Sequence, residues 1–137
     1  MGTVPAQAPG ATPLQPFVIH ALEGLDLSHP EQWQARIPWQ PFLEGVEIHR
    51  LYGDGVTGSG AALLRFSPGA KIPEHLHTGY EHIFVLAGSQ ADEIGEVLAG
   101  QLRIHPPGSS HSVVSKSGCI VLAIHEHPVS FLAASGE

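Results

Sequence analysis

Two glycine-framed histidine clusters limit what this chain can fold into. They run Gly69, five residues, His75-x-His77, three residues, Glu81, six residues, Gly88, and then Gly100, five residues, Pro106-x-Gly108, two residues, His111. His75 and His77 are two positions apart, so on a strand of period two both project from one face, whereas a helix would splay them. Ile72-Pro73 just before them argues against helix, because proline lacks the amide proton an interior turn needs, and suits an edge-like strand entry. Thr78-Gly79-Tyr80 is a tight turn that returns Glu81 beside the pair, at the head of the strand-forming run His82-Ile83-Phe84-Val85-Leu86. A second turn, Pro106-Pro107-Gly108-Ser109-Ser110, delivers His111 to the start of Ser112-Val113-Val114. Together the clusters read as one metal site of three imidazoles and a carboxylate.

Position by position these residues resemble the two motifs of the cupin superfamily. The first matches completely, and the second departs at its last place, where Ser115 stands for the usual asparagine. The runs His-Thr-Gly-Tyr-Glu, Gly-Ser-Gln-Ala-Asp, Pro-Pro-Gly-Ser-Ser-His and Ser-Gly-Cys are most similar to the ChrR-type cupin domain and its stand-alone, dioxygenase-like relatives. The resemblance covers residues 69 to 115 and implies a metal held by His75, His77, Glu81 and His111. It also implies a small jelly-roll barrel with the site inside its mouth. A serine hydroxyl makes fewer hydrogen bonds than an amide, so the second motif is expected to be braced differently at Ser115.

With 137 residues the chain has room for one core, and residues 17 to 137 are expected to form a single cupin β-barrel domain. At 42% hydrophobic and 14% charged it reads as globular, with no window approaching the 18 to 20 unbroken apolar residues of a membrane helix. A net charge of −7 repels nucleic-acid phosphates, so neither a membrane nor a nucleic acid is an expected partner. Cys119 is the single cysteine and permits no internal disulfide, and the first residues lack a basic start and apolar run. Both favour the cytoplasm.

Met1 to Pro16 holds four prolines and two glycines among small residues and is expected to be a flexible arm, or to pack across a partner subunit. Phe17-Val18-Ile19-His20 can start a strand. Ser28-His29-Pro30-Glu31 resembles a helix cap ahead of a short helix to about Arg36, and Ile37-Pro38-Trp39-Gln40-Pro41 an extended loop. From Val46 the pattern is β throughout: 46–52, 61–66, 71–77, 81–91, 96–105, 111–115 and 119–126, separated by glycine, proline and serine turns. The fold class expected is thus all-β, a small jelly roll with at most one or two short helices. Trp33 and Trp39 are read as covering one end of the barrel.

Strand parity gives a map. If Glu81 points inward, so do Ile83 and Val85, while His82, Phe84 and Leu86 face outward; Val113 and Ser115 share the inward face with His111. Ile83, Val85 and Val113 are therefore the candidate substrate-binding wall. A carboxylate in an apolar wall prefers neutrality unless a cation sits beside it, which favours Glu81 as a ligand. His49 and His105 can line the pocket. His125, His127 and Cys119 share parity, which leaves open a second metal site or ordinary strand positions, with Cys119 read as a small buried hydrophobe. Tyr80 can close over the mouth or serve only the turn. Asp92, Glu93 and Glu96 look like a solvated hairpin tip.

Histidine and carboxylate donors accept Fe(II), Mn, Ni, Cu or Zn, and the resemblance makes Fe(II) the first choice. It implies a dioxygenase-type oxidoreductase in which a small diketone or phenolic ketone chelates the metal as an enolate or phenolate. The competing readings are a ligand- or metal-sensing regulatory cupin without turnover, and a non-catalytic small-molecule-binding cupin. A homodimer is implied by the resemblance, and Phe84 and Leu86 on the outward face would contribute to it.

Overall fold

The computed structural model describes residues 14–132. Ten strands lie among them: β1 (Gln40–Leu43), β2 (Val46–Tyr52), β3 (Gly60–Phe66), β4 (Ala70–Leu76), β5 (Glu81–Ala91), β6 (Glu96–Leu98), β7 (Leu102–His105), β8 (Ser110–Ser115), β9 (Cys119–His125) and β10 (Ser130–Phe131). They form an all-β jelly roll of two antiparallel layers, β1-β2-β3-β9-β5-β7 and β10-β4-β8-β5-β6.

β5 belongs to both layers. Its first part pairs with β9 and β7, and its last residues, Ser89 to Ala91, pair with β6 and β8. The crossing falls at a register shift between Val85 and Ala87, followed by Gly88 at φ +69°. A Cβ at Gly88 would meet the Gly118 carbonyl oxygen at 2.0 Å, so only glycine lets the two strands approach there. The glycine that frames the first histidine cluster is therefore a corner of the barrel.

The inward faces enclose a core of Val46, Ile48, Leu64, Phe66, Ile72, Ile83, Val85, Val113 and Val121. A second cluster forms outside the larger layer, where Trp33 and Ile37 pack on Leu63, Leu86, Ala87 and Ile120, with Trp39 and Phe84 against its rim. Trp33 is 0% exposed. Its indole N–H donates to the Asp26 carbonyl at 3.0 Å and that of Trp39 to the Gln34 carbonyl at 3.0 Å, so both aromatics bury surface without orphaning a donor. The tryptophans thus cover the outer face of the larger layer, and not one end of the barrel as expected. This cover removes the outward set Phe84 and Leu86 from the dimer argument, because the chain's own N-terminal segment occupies that face.

Several local expectations are corrected. The helix from Ser28 is two single 3-10 turns, Pro30–Gln32 and Gln34–Arg36, and a third, His20–Leu22, follows Phe17 where a strand was expected. His29 occupies the cap position with no side-chain bond, and Asp26 instead binds the Ser28 amide at 2.9 Å and the His29 ring at 3.0 Å. Three-residue turns are what a segment adopts when its packing comes from two tryptophans and not from a continuous apolar stripe. The 96–105 strand is split into β6 and β7 because Gly100, at φ +87°, turns the chain and donates to the Val85 carbonyl at 2.8 Å. Part of the 37–41 loop pairs as β1, and β10 was not foreseen. Of the arm proposed for Met1 to Pro16, residues 1–13 lie outside the described residues, as do 133–137 of the proposed domain.

Candidate metal centre

Three imidazoles converge at one end of the inner core. β4 and β8 pair with His75 directly opposite His111, the register having shifted at Pro73-Glu74, where proline can sit because the ladder is interrupted. His77 follows β4 at the turn and is held there by its backbone amide, which donates to the Ser109 carbonyl at 2.8 Å. One ring nitrogen from each of His75, His77 and His111 lies within 4.8 Å of the others, and all three residues are buried.

The far side of each ring explains its orientation. His75 Nδ1 donates to the Pro73 carbonyl at 2.8 Å, and His77 Nδ1 meets the Ser109 carbonyl at 3.1 Å and its hydroxyl at 2.9 Å. His111 Nδ1 donates to Asp92 Oδ2 at 2.8 Å. Carbonyls and carboxylates only accept, so Nδ1 of each ring carries a proton and Nε2 is the nitrogen left for a ligand role. This is the arrangement that metal-binding histidines require.

Glu81, first residue of β5, joins them with Oε1 3.2 Å from His77 Nε2. That nitrogen is buried and makes no hydrogen bond. With the ring proton on Nδ1, two acceptor atoms face each other here and repel, and either a shared proton or a metal cation between them turns the contact favourable. Burial alone would push the Glu81 carboxyl up, but the rings of His77, His75 and His105 outweigh it and hold the group below its ordinary value. An anionic Glu81 beside three lone pairs fits a divalent metal, so the four residues singled out in the sequence are brought together.

Asp92 is the residue that the sequence misplaced. Its side chain is 3% exposed, not a solvated tip, and besides His111 it accepts from Arg103 at 2.8 Å and from the amides of Ile94 and Gly95 at 2.9 and 3.2 Å. Burial opposes its charge, yet these donors hold the carboxyl far below the usual range. No spacing links positions 92 and 111; only the fold brings the hairpin tip over β8. Glu93 and Glu96 do lie at the surface, bound to Ser112 and Ser89. Ser115 is fully buried, its hydroxyl donating to the Ser89 carbonyl at 2.6 Å and its own carbonyl accepting from Gly69 at 2.7 Å, which is how the shorter side chain braces the second motif.

His105 lies opposite Glu81 on β7 and stacks on His77 with ring centroids 4.5 Å apart. Burial, with the His111 and His77 rings adding, pushes it down to about 4, so it is a neutral backing ring and does not line the cavity. His49 faces outward opposite Leu63. Tyr80 is exposed and does not close the mouth, its amide donating to Glu126 at 2.7 Å. Cys119 is buried, which pushes its thiol up, and among the described residues only the three histidines above form a cluster of metal-ligating groups.

A cavity of about 160 Å³ opens beside this centre, comparable to the ~150 Å³ apolar cavities that accept benzene. His75, Glu81 and His111 reach it, and Ile83 and Val113 line it as parity foretold. Val85 does not: it faces inward and is 0% exposed, while its row neighbours Val121 and Leu64 take the places on the cavity wall. His125 does line it.

The family model of the ChrR cupin-like domain matches residues 33–129. The anti-sigma-E factor ChrR of Cereibacter sphaeroides is 35% identical over 99 residues, 65% of this chain and 46% of ChrR, so the chain spans about half the length of that relative. The crystal structure of Rhodobacter sphaeroides SigE in complex with the anti-sigma ChrR is similar with a TM-score of 0.57 and 29% identity, over 65% of this chain and 48% of that one. An acetylacetone dioxygenase from Acinetobacter johnsonii superposes over 100% of this chain and 88% of its own with a TM-score of 0.67; at 16% identity this likeness shows the fold.

Proposed function

This chain belongs to the ChrR cupin-like domain family, and we propose that it is a metal-dependent cupin with dioxygenase-type activity on a small diketone or phenolic ketone. The observation that carries the reading is the cluster of His75, His77 and His111 ring nitrogens, with the Glu81 carboxylate 3.2 Å from His77 Nε2, beside an apolar cavity. A divalent transition metal, Fe(II) first and Zn, Ni, Mn or Cu as alternatives, would supply Lewis acidity and the open positions for an enolate and dioxygen.

The chain's own residues do the rest. Asp92 keeps the His111 proton on Nδ1 and fixes the ring. Ser109 does the same for His77, and the Pro73 carbonyl for His75. Ile83 and Val113 present hydrocarbon to the substrate body and keep water from it. Elemental analysis of chelator-free protein tests the metal, and oxygen uptake by the iron-loaded chain with acetylacetone and phenolic ketones tests the chemistry; iron bound without turnover on any of them would count against the dioxygenase.

The relationship to an anti-sigma factor favours a second reading, a ligand- or metal-sensing regulatory domain acting through another protein. Capture of a specific partner that is lost when the metal is removed would select it. The cytoplasmic placement and the homodimer belong to the same proposal, and a monomeric mass at micromolar concentration would remove the dimer.

A further inference from the structure

Three of the four arginines have polar partners: Arg65 with Glu47 at 2.6 Å, Arg103 with Asp92 at 2.8 Å, and Arg36 with the carbonyls of Ala21 and Glu23. Among the described residues Arg50 forms no ion pair; the residue is exposed, and its guanidinium lies against Gly55 and leans toward the Phe42 ring, 6.0 Å from the centroid. Yet it sits on the inward face of β2, in the parity of Val46 and Ile48, and it lines the cavity. Its row across the layer is Ala62, Ala123 and Ile83; the next row toward the mouth is Gly60, His125 and Glu81.

His125 is the second unanswered group. Its Nε2 is buried without a hydrogen-bond partner, a condition that is costly if nothing relieves it. Two glycines make room for the pair. A Cβ at Gly55 would stand 2.4 Å from Arg50 Nη1, and one at Gly60 would stand 2.9 Å from His125 Nε2. Any larger residue at either place would displace the polar group beside it. Apart from His75, Glu81 and His111 of the metal centre and Gln90, the rest of the wall is hydrocarbon, and the chain as a whole, at net charge −7, repels anions.

A guanidinium with no carboxylate partner and an orphaned imidazole nitrogen at one end of a benzene-sized apolar cavity call for an anionic oxygen group on a small apolar body. We propose that Arg50 and His125 form a subsite for the carboxylate of a small organic acid, whose body extends toward His75, Glu81 and His111. Of the diketones and phenolic ketones considered above, this selects those that carry a carboxylate. The proposal rests on that reading for what the far end of the ligand meets, and on Arg50 and His125 alone for the acid.

Fluorine NMR titration with 4-fluorobenzoate and its neutral isostere 4-fluorobenzamide, on metal-free and zinc-loaded chain, tests it. The benzoate is expected to bind about tenfold more tightly than the amide, the worth of a charge-assisted hydrogen bond, with and without zinc. Arg50→Gln is expected to abolish that preference and leave amide binding unchanged, Arg50→Lys to keep part of it, and His125→Phe to weaken it. Added salt should weaken the benzoate alone, a readout that needs no variant. Equal affinity for the two probes, no binding of either, or a preference that survives Arg50→Gln would overturn the subsite. A preference seen in a chain that takes up no metal would uphold it while removing the metal centre, so the two failures are distinguishable.

Discussion

Along β3 the inward side chains shrink from Phe66 to Leu64, Ala62 and Gly60, and the two ends of the barrel differ accordingly. At the Phe66 end, Cys119 and Gly88 complete the row, and one step on lie Leu64, Val121 and Val85, so that Phe66, Leu64 and Val121 form the hydrocarbon floor of the cavity. At the Gly60 end the neighbours are His125 and Glu81, and the space that bulk would fill is cavity. The same three strands thus run from packed hydrocarbon into a polar mouth. A pocket of this kind is specified by a gradient of side-chain size along one face, with stability held at one end and chemistry at the other.

The largest effect separating the ends is expected at the mouth: His77→Ala should drop metal content from near one per chain to near none while leaving the urea midpoint of the metal-free protein almost unchanged. Glu81→Gln should weaken metal binding, and unchanged occupancy would take Glu81 out of the ligand set. At the closed end, Phe66→Ala should cost about 3–5 kcal/mol in urea unfolding yet leave metal binding in the surviving fold intact. If it instead abolished metal uptake by a folded chain, the two ends would not be separable.

A middle effect is expected from Asp92→Asn, which keeps the size but loses the charge that orients His111; metal affinity should fall about 10–100-fold by competition with a chelator. Ala62→Leu should fill the cavity, abolish probe binding in the fluorine titration and change stability by less than Phe66→Ala. The smallest effect concerns Cys119. Burial disfavours its thiolate, so Ellman's reagent should react only as the chain unfolds, and fast labelling of the native protein would show the closed end to be open.

Legibility in the sequence followed range. Strands β2, β3, β5, β8 and β9 were visible because alternation and turn residues are local, and the four candidate ligands because two turns carry them in fixed frames. The inward facing of Ile83, Val85 and Val113 followed from parity, which does not tell which of them borders the cavity; Ile83 and Val113 do and Val85 does not. Asp92 was hidden because its partner His111 lies across the layer, and a charged hairpin tip has the composition of a solvated one. Arg50 was in plain view as a cation at an inward position after Val46 and Ile48, a break in alternation whose meaning needed the cavity. The N-terminal cover was read as helix because a cap motif does not reveal that packing comes from two isolated aromatics.

β5 begins with Glu81 in one layer and passes directly into Asp92, whose carboxylate steadies His111 over the other. Glu81 and Asp92 are therefore the two ends of one rod, separated by ten residues of which one is the corner glycine Gly88, and their spacing is set by covalent chain. An insertion within β5 would throw both ends out of alignment in a single step, while insertions in the Gly53–Gly60 connection could be absorbed without touching either. Laboratory or natural variation in length should for that reason accumulate in the latter and be excluded from the former.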